Sequence, residues 1–300
     1  MPLCLKPIVK CPFGRSQTVN SDRLRQPLKK GFRGIVIRMN SIQKLKDRIA
    51  LITGASRGIG RAIALGFARE GASIAATART ESELDSLVQE IGGLGQKAIA
   101  IPADLSRPGA AAEIVRRVLE AFGTLDILVN NAGIGSSANP RPLVDFDDGF
   151  WDLSLAVNLT SAYLLCKAVL PILLKKGKGR IINIASISGK MAVLHGVAYA
   201  ASKHGLLGLT RTLALEVACA GITVNAICPG PVHTAMNDKR IEYDAHRLGV
   251  KVEDLEHSLT PIGRRVEPEE IVPLAVLLAS DESAAITGQA INICGGAAMF

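Results

Sequence analysis

The feature that most narrows the fold is a junction. Ile49-Ala-Leu-Ile-Thr53, a short apolar run, passes straight into Gly54-Ala-Ser-Arg57-Gly58-Ile-Gly60, and a helical pattern over residues 61–70 follows, stopped by Gly71. A strand that enters a helix through closely spaced glycines brings backbone amides and the positive end of a helix dipole to one point. That arrangement receives a pyrophosphate. The spacing is G-x-x-x-G-x-G rather than G-x-G-x-x-G, and a bare turn remains the alternative. Six further strand-like runs, at 73–77, 98–101, 125–130, 180–185, 222–227 and 289–293, alternate with helical segments. Apolar strands separated by helices predict an α/β domain whose parallel sheet is covered on both faces. Thr80 and Glu83 predict a capping box for the helix after the second strand.

With 300 residues and 48% hydrophobic content, one large core is the natural expectation. The net charge of +8 invites a nucleic-acid reading, but residues 1–38 carry nine basic side chains against Asp22 alone, which accounts for all of it. The rest of the chain is neutral, so no broad field attracts polyanions and no nucleic-acid partner is expected. Residues 1–44 are broken by Pro2, Pro7, Pro12 and Pro27 and hold no period. They read as a basic, disordered or artefactual extension before a domain over 45–300, because Met39 precedes an ordinary protein start; a transit peptide is the alternative. The six cysteines are scattered without a C-x-x-C pair, which fits a reducing compartment. No apolar run of membrane-spanning length stands out, so a cytoplasmic protein is expected, with an organelle matrix as the alternative. His233, His246 and His257 lack zinc spacing, and no metal is assigned.

Chemistry enters at Tyr199-Ala-Ala-Ser-Lys203. Helix positions i and i+4 share a face, so a phenol and an ammonium would reach one cleft. A cation within roughly 4–6 Å would lower the tyrosine pKa and make it a usable acid or base. Ser186 closes a buried strand, at the carboxyl end where open α/β sheets bind ligands.

Together TGASRGIG at 53–60, Asp104-Leu105, NNAG at 130–133, Asn158, Ser186, YAASK at 199–203, and Pro229-Gly230 with Thr234 resemble the short-chain dehydrogenase/reductase family over residues 45–298. The resemblance implies a single Rossmann-like, doubly wound domain with a seven-stranded parallel sheet, assembled as a homotetramer or dimer. It also implies hydride transfer between a nicotinamide cofactor and an alcohol or carbonyl. By position, Tyr199 would be the general acid or base, Lys203 would tune it and hold the nicotinamide ribose, Ser186 would bind the carbonyl oxygen, and Asn158 would hold a relay water. Cofactor contacts would fall on Gly54, Ser56, Arg57, Gly58, Ile59 and Gly60 at the phosphates, on Asp104 and Leu105 at the adenine, and on Asn131, Ala132 and Gly133 beside the ribose. Pro229, Gly230, Val232 and Thr234 would border the nicotinamide, while Asn130 would be structural.

An NAD site expects an acid about 20 residues past the glycines, whereas arginine there accommodates a 2′-phosphate. Arg79 ends the second strand and Arg57 lies in the glycine loop, so NADP(H) is favoured over NAD(H); Glu81 has its own role in a first helical turn. Substrate segments are 135–148, 190–198 and 233–265. The run from Ala192 to Ala198 is apolar apart from His195, which suits an acyl or neutral substrate; His195 would orient a carbonyl or be plain polar surface. The pattern is most similar to 3-oxoacyl reductases acting on acyl-carrier-protein or coenzyme A thioesters. It also resembles aromatic-polyketide ketoreductases, notably in Cys294 before paired glycines. Carrier-dependent relatives carry an arginine after the Tyr199 helix, where this chain reads Ala218-Cys219-Ala220-Gly221; Lys175, Lys176, Lys178 and Arg180 offer a substitute basic patch. Oxidation of a sugar, polyol or steroid alcohol is the alternative, and a non-catalytic NADP-binding regulator is disfavoured because all four catalytic positions are present.

Overall fold

The computed structural model describes residues 43–300, so nearly all of the predicted extension over 1–44 lies outside the described residues. Lys44, at its end, is tied to the domain: its amide donates to the Glu70 carboxylate at 2.9 Å and its Nζ to Glu282 at 2.8 Å.

Seven strands form one parallel sheet: β1 (Ile49–Thr53), β2 (Ser73–Ala78), β3 (Ala98–Pro102), β4 (Ile127–Asn130), β5 (Gly179–Ile184), β6 (Ile222–Pro229) and β7 (Ala290–Ile293). Their order is β3-β2-β1-β4-β5-β6-β7. The helices are α1 (Gly58–Arg69), α2 (Glu81–Gly93), α3 (Ala110–Phe122), α4 (Asp148–Leu155), α5 (Ser161–Lys176), α6 (Val197–Val217), α7 (Ala235–Leu248), α8 (Val252–Ser258) and α9 (Pro268–Ala279). Successive strand residues point to opposite faces, so Ala50 and Ile52 enter one core with Ile63 and Phe67 of α1 and Ile271 of α9. Leu51 enters the other, with Ile114 of α3, Leu165 of α5 and Leu213 of α6. Both faces are apolar, which is why the strands read as continuous hydrophobic runs.

The chain winds outward from β1 to β3 and then returns to β4 beside β1. The order of strand addition reverses there, and a crevice opens at the carboxyl ends of those two strands.

Several local expectations differ. α1 begins at Gly58 rather than Arg61, because the last glycines form its first turn. Thr80 precedes α2 in an extended conformation without a side-chain cap, so no capping box forms there; Glu267 and Glu270 form one at α9. Of the basic patch expected from Lys175, Lys176, Lys178 and Arg180, only Lys175 is exposed without a partner among the described residues. Lys176 pairs with Asp126, Lys178 with Asp281, and Arg180 is buried with its Nε donating to the Ser280 carbonyl at 3.1 Å. Asp148–Lys176 is a continuous helical stretch apolar and long enough to cross a membrane, yet its Leu165, Cys166, Val169 and Leu173 pack into the core.

A buried polar ladder joins the central strands: Asn130 Nδ2 donates to Asn183 Oδ1 at 2.9 Å, and Asn183 Nδ2 donates to Thr210 Oγ1 at 2.8 Å. Removing the middle member takes one partner from each neighbour, leaving Thr210 Oγ1 its bond to the Leu206 carbonyl at 2.8 Å and Asn130 Nδ2 only the Cys166 sulfur at 3.5 Å. Asn183→Ala is expected to lower stability by about 1–3 kcal/mol in urea unfolding; an unchanged midpoint would show that the ladder contributes nothing.

Candidate active site

The crevice is laced shut at its base by the β1 and β4 termini. Thr53 Oγ1 accepts from the amides of Asn131 and Ala132, both at 3.0 Å, and Asn131 Nδ2 donates to the carbonyls of Thr53 at 2.8 Å and Gly54 at 3.0 Å. The glycine loop lies directly above. A Cβ on Gly60 would stand 2.3 Å from the Gly54 oxygen and 2.4 Å from Asn131 Nδ2, so no side chain fits there. Gly58 adopts φ 54°, the left-handed region that glycine enters without strain.

Arg57 precedes α1 without a side-chain cap, and the amides of Gly58, Ile59 and Gly60 have no acceptor among the described residues. Unfilled donors, a twelve-residue helix dipole and a cradle that admits no Cβ fit a pyrophosphate. Arg57 and Arg79 are exposed and have no carboxylate partner among the described residues. Asp104 Oδ1 accepts from Ser106 N at 3.0 Å and Ser106 Oγ at 2.8 Å, bonds that hold its carboxyl below the usual range. Leu105 packs against the core beside it. On the far side, Pro229 ends β6, Val232 is buried, and Thr234 caps α7 while its methyl approaches the Gly58 position. Gly230 passes so close to Cys294 that an added Cβ would meet it at 2.7 Å.

Four polar residues converge beyond the loop. Ser186 follows β5, and its Oγ accepts from Ser188 N at 3.0 Å, which leaves its proton free to donate. Tyr199 and Lys203 lie one turn apart on α6. Lys203 Nζ donates to the Ile184 carbonyl at 2.8 Å and stands 5.8 Å from the Tyr199 ring centroid. Burial pushes the Lys203 pKa down to about 8. Burial pushes the Tyr199 phenol up, against the Ser186 hydrogen bond, so the expected lowering by Lys203 does not hold here: desolvation outweighs an ammonium turned toward a backbone carbonyl.

Asn158 sits in a π-helical turn, Ala156–Thr160, between α4 and α5. Its Oδ1 accepts from Ile134 N at 2.7 Å; its Nδ2 donates to Ile134 O and to Ser202 Oγ, both at 3.0 Å. Ser202 Oγ in turn donates to the Tyr199 carbonyl at 2.7 Å. Asn158 therefore fixes the loop after β4 and the turn of α6 that carries Tyr199. Gly133 completes the cluster, since a Cβ there would lie 3.3 Å from Asn158 Oδ1 and 3.7 Å from Lys203 Nζ.

His195 lies on a loop before α6 and lines a cavity of about 500 Å³ with Arg141, Leu143, Val193, Leu194 and Val197. It is not loose surface: its Nδ1 meets the Tyr243 hydroxyl at 2.6 Å. His233 is paired with Glu267 at 2.7 Å and Glu256 at 3.3 Å. Tyr243, Ser202 and Thr53 were not legible as site residues. Ser202 lay inside the YAASK run and Thr53 at the end of β1, but Tyr243 comes from α7, a helix with no motif of its own.

Residues 48–244 match the profile of the short chain dehydrogenases. The chain belongs to that family. It is 39% identical over 255 residues to a D-β-hydroxybutyrate dehydrogenase of Rhizobium meliloti, covering 83% of this chain and 98% of the relative. A 3-oxoacyl-[acyl-carrier-protein] reductase of Thermotoga maritima is 38% identical over 253 residues, covering 84% and 98%. Among solved structures, a variant actinorhodin polyketide ketoreductase with NADPH superposes with a TM-score of 0.80 at 37% identity, covering 84% of this chain and 98% of that one. The fold is thus Rossmann-like, and this short chain dehydrogenase is a nicotinamide-dependent oxidoreductase acting on CH–OH or carbonyl groups.

Two outcomes check the geometry. Gly60→Ala is expected to abolish measurable cofactor binding in fluorescence titration, since the added methyl overlaps the Gly54 oxygen; retained affinity would place the phosphates elsewhere. Lys203 has a folded pKa of about 8 against 10.5 for the free side chain, so between those values the unfolded chain holds more protons. Wild-type stability should therefore gain on Lys203→Met as pH rises from 8 to 10.5, and the gap should stay flat below 8. Parallel urea midpoints across that range would contradict the buried ammonium.

Proposed function

We propose that the protein is an NADPH-dependent reductase that converts a carbonyl to a secondary alcohol, acting on 3-oxoacyl thioesters. The observation that carries this reading is the meeting of Ser186, Tyr199 and Lys203 after β5 and on the first turns of α6, directly after the loop 192–197 that lines an apolar cavity. The nicotinamide supplies a hydride when bound; the chain's own residues handle the oxygen and its proton. Ser186 donates to the carbonyl oxygen and stabilises the charge that develops there. Tyr199, kept protonated near neutrality by burial, gives its phenolic proton to that oxygen. Lys203 carries a charge below about pH 8 and stabilises the phenolate left behind. Asn158 acts through Ser202, which holds the Tyr199 turn in place.

NADP(H) is favoured because Arg57 and Arg79 stand free at the ribose end and no acid ends β2. The apolar lining of the cavity favours an acyl chain. Coenzyme A is favoured over an acyl-carrier protein, because Ala218–Ala220 offers no arginine and, of the nearby cations, Lys176 and Lys178 are paired and Arg180 is buried, which leaves Lys175 alone. Oxidation of a free 3-hydroxy acid is a second reading, favoured by the hydroxybutyrate dehydrogenase relative. Exposed Leu153, Tyr163, Leu164 and Leu174 along α4 and α5 support a homo-oligomer.

The test is absorbance of the reduced nicotinamide during turnover of acetoacetyl-coenzyme A. NADPH should be oxidised faster than NADH, Tyr199→Phe should lower kcat by about 100-fold or more, and Arg79→Asp should raise the KM for NADPH by about tenfold or more. Turnover only of simple ketones would remove the thioester assignment, and an unaltered NADPH KM in Arg79→Asp would remove the cofactor assignment.

A further inference from the structure

One face of α7 grips the loop that forms the cavity wall. The Tyr243 hydroxyl meets His195 Nδ1 at 2.6 Å, and Arg240 Nη2 donates to the Leu194 carbonyl at 2.9 Å. Arg240 is itself held by Asp244, at 2.7 and 3.1 Å, and its guanidinium carbon stands 5.5 Å from the centre of the Tyr243 ring. His195 has φ 55°, one of two described non-glycine residues in the left-handed region. A residue stays there only when its surroundings over-determine it, and the surroundings here are this grip.

The pair also fixes a proton. Neutral imidazole carries one donor and one acceptor nitrogen, and the hydrogen bond at one decides the other. Donation by the Tyr243 hydroxyl to Nδ1 would place the imidazole proton on Nε2. Among the described residues Nε2 has no partner, and its ring lines a cavity whose walls are otherwise mostly apolar.

We propose that Tyr243 and Arg240 are positioning residues that make His195 an Nε2–H donor to a second acceptor on the substrate, a carbonyl or carboxylate oxygen apart from the carbonyl being reduced. This rests on the reductase reading above and narrows it. Isolated ketones leave the donor unpaired in the cavity, whereas 3-oxoacyl thioesters and 3-oxo acids satisfy it. His195 lies four residues before Tyr199, so the loop that carries the donor leads directly into the catalytic helix.

Two readouts test the pair. In wild-type protein, ¹H–¹⁵N correlation of the imidazoles, with His195 assigned through His195→Gln, should show the His195 proton wholly on Nε2, and Tyr243→Phe should return the ring to the mixed tautomers of a free imidazole. In kinetics, Tyr243→Phe should raise the KM for acetoacetyl-coenzyme A by about tenfold with kcat changed by about twofold or less. The KM for cyclohexanone, which has no second acceptor, should not move. His195→Gln, whose amide nitrogen can replace the donor, should retain more affinity than His195→Leu. A proton on Nδ1 in the wild type, equal KM losses on both substrates, or no loss on either would overturn the proposal. A wild type that reduces no thioester would instead remove the substrate reading, and the position of the His195 proton would still decide the pair.

Discussion

A single buried ammonium organises the site. Lys203 is almost wholly out of water, and its charge is compensated by one backbone carbonyl, that of Ile184 at the end of β5. Burying a cation costs several kcal/mol unless something offsets it. The protein accepts that cost one helical turn from Tyr199 and beside the residue that follows β5, Ser186. The elements around it fix β5 and α6 against each other: the parallel pairing of β5 with β4 and β6, the Asn130–Asn183–Thr210 hydrogen bonds, and Asn158 clamping α6 through Ser202.

The second constraint is the reversal of strand order between β1 and β4. Thr53 and Asn131 close the base of that crevice through hydrogen bonds alone, which leaves the α1 amides open above it. Helix dipole and glycine cradle there fit the phosphates of a dinucleotide, and α7 runs from that loop to the one that carries His195. Its N-cap Thr234 approaches Gly58 of the glycine loop, and its third turn holds His195 through Tyr243.

Much of this could be read in the chain. The seven strands were legible because apolar runs flanked by glycines leave few alternatives, and Tyr199, Lys203 and Ser186 because helix spacing and strand ends place them together. What escaped depends on tertiary context. The start of α1 was misplaced because glycines suit both a loop and a first helical turn. Thr80 left its cap unmade although its sequence fits one. The basic run from Lys175 to Arg180 looked open until Asp126 and Asp281 arrived from distant loops. Spacing also gave the right neighbours for Tyr199 and the wrong sign for its pKa, because burial depth is not written in the distance between two residues.

The central claim is that this pocket delivers a hydride to a substrate ketone while Tyr199 delivers the proton. The most direct measurement is turnover of acetoacetyl-coenzyme A with NADPH deuterated at the transferring position of the nicotinamide, followed by mass spectrometry of the product. The account expects one deuterium on the carbinol carbon of the 3-hydroxyacyl thioester. A 3-hydroxyacyl product without deuterium from either face-labelled cofactor, or no product from an enzyme saturated with NADPH, would contradict it.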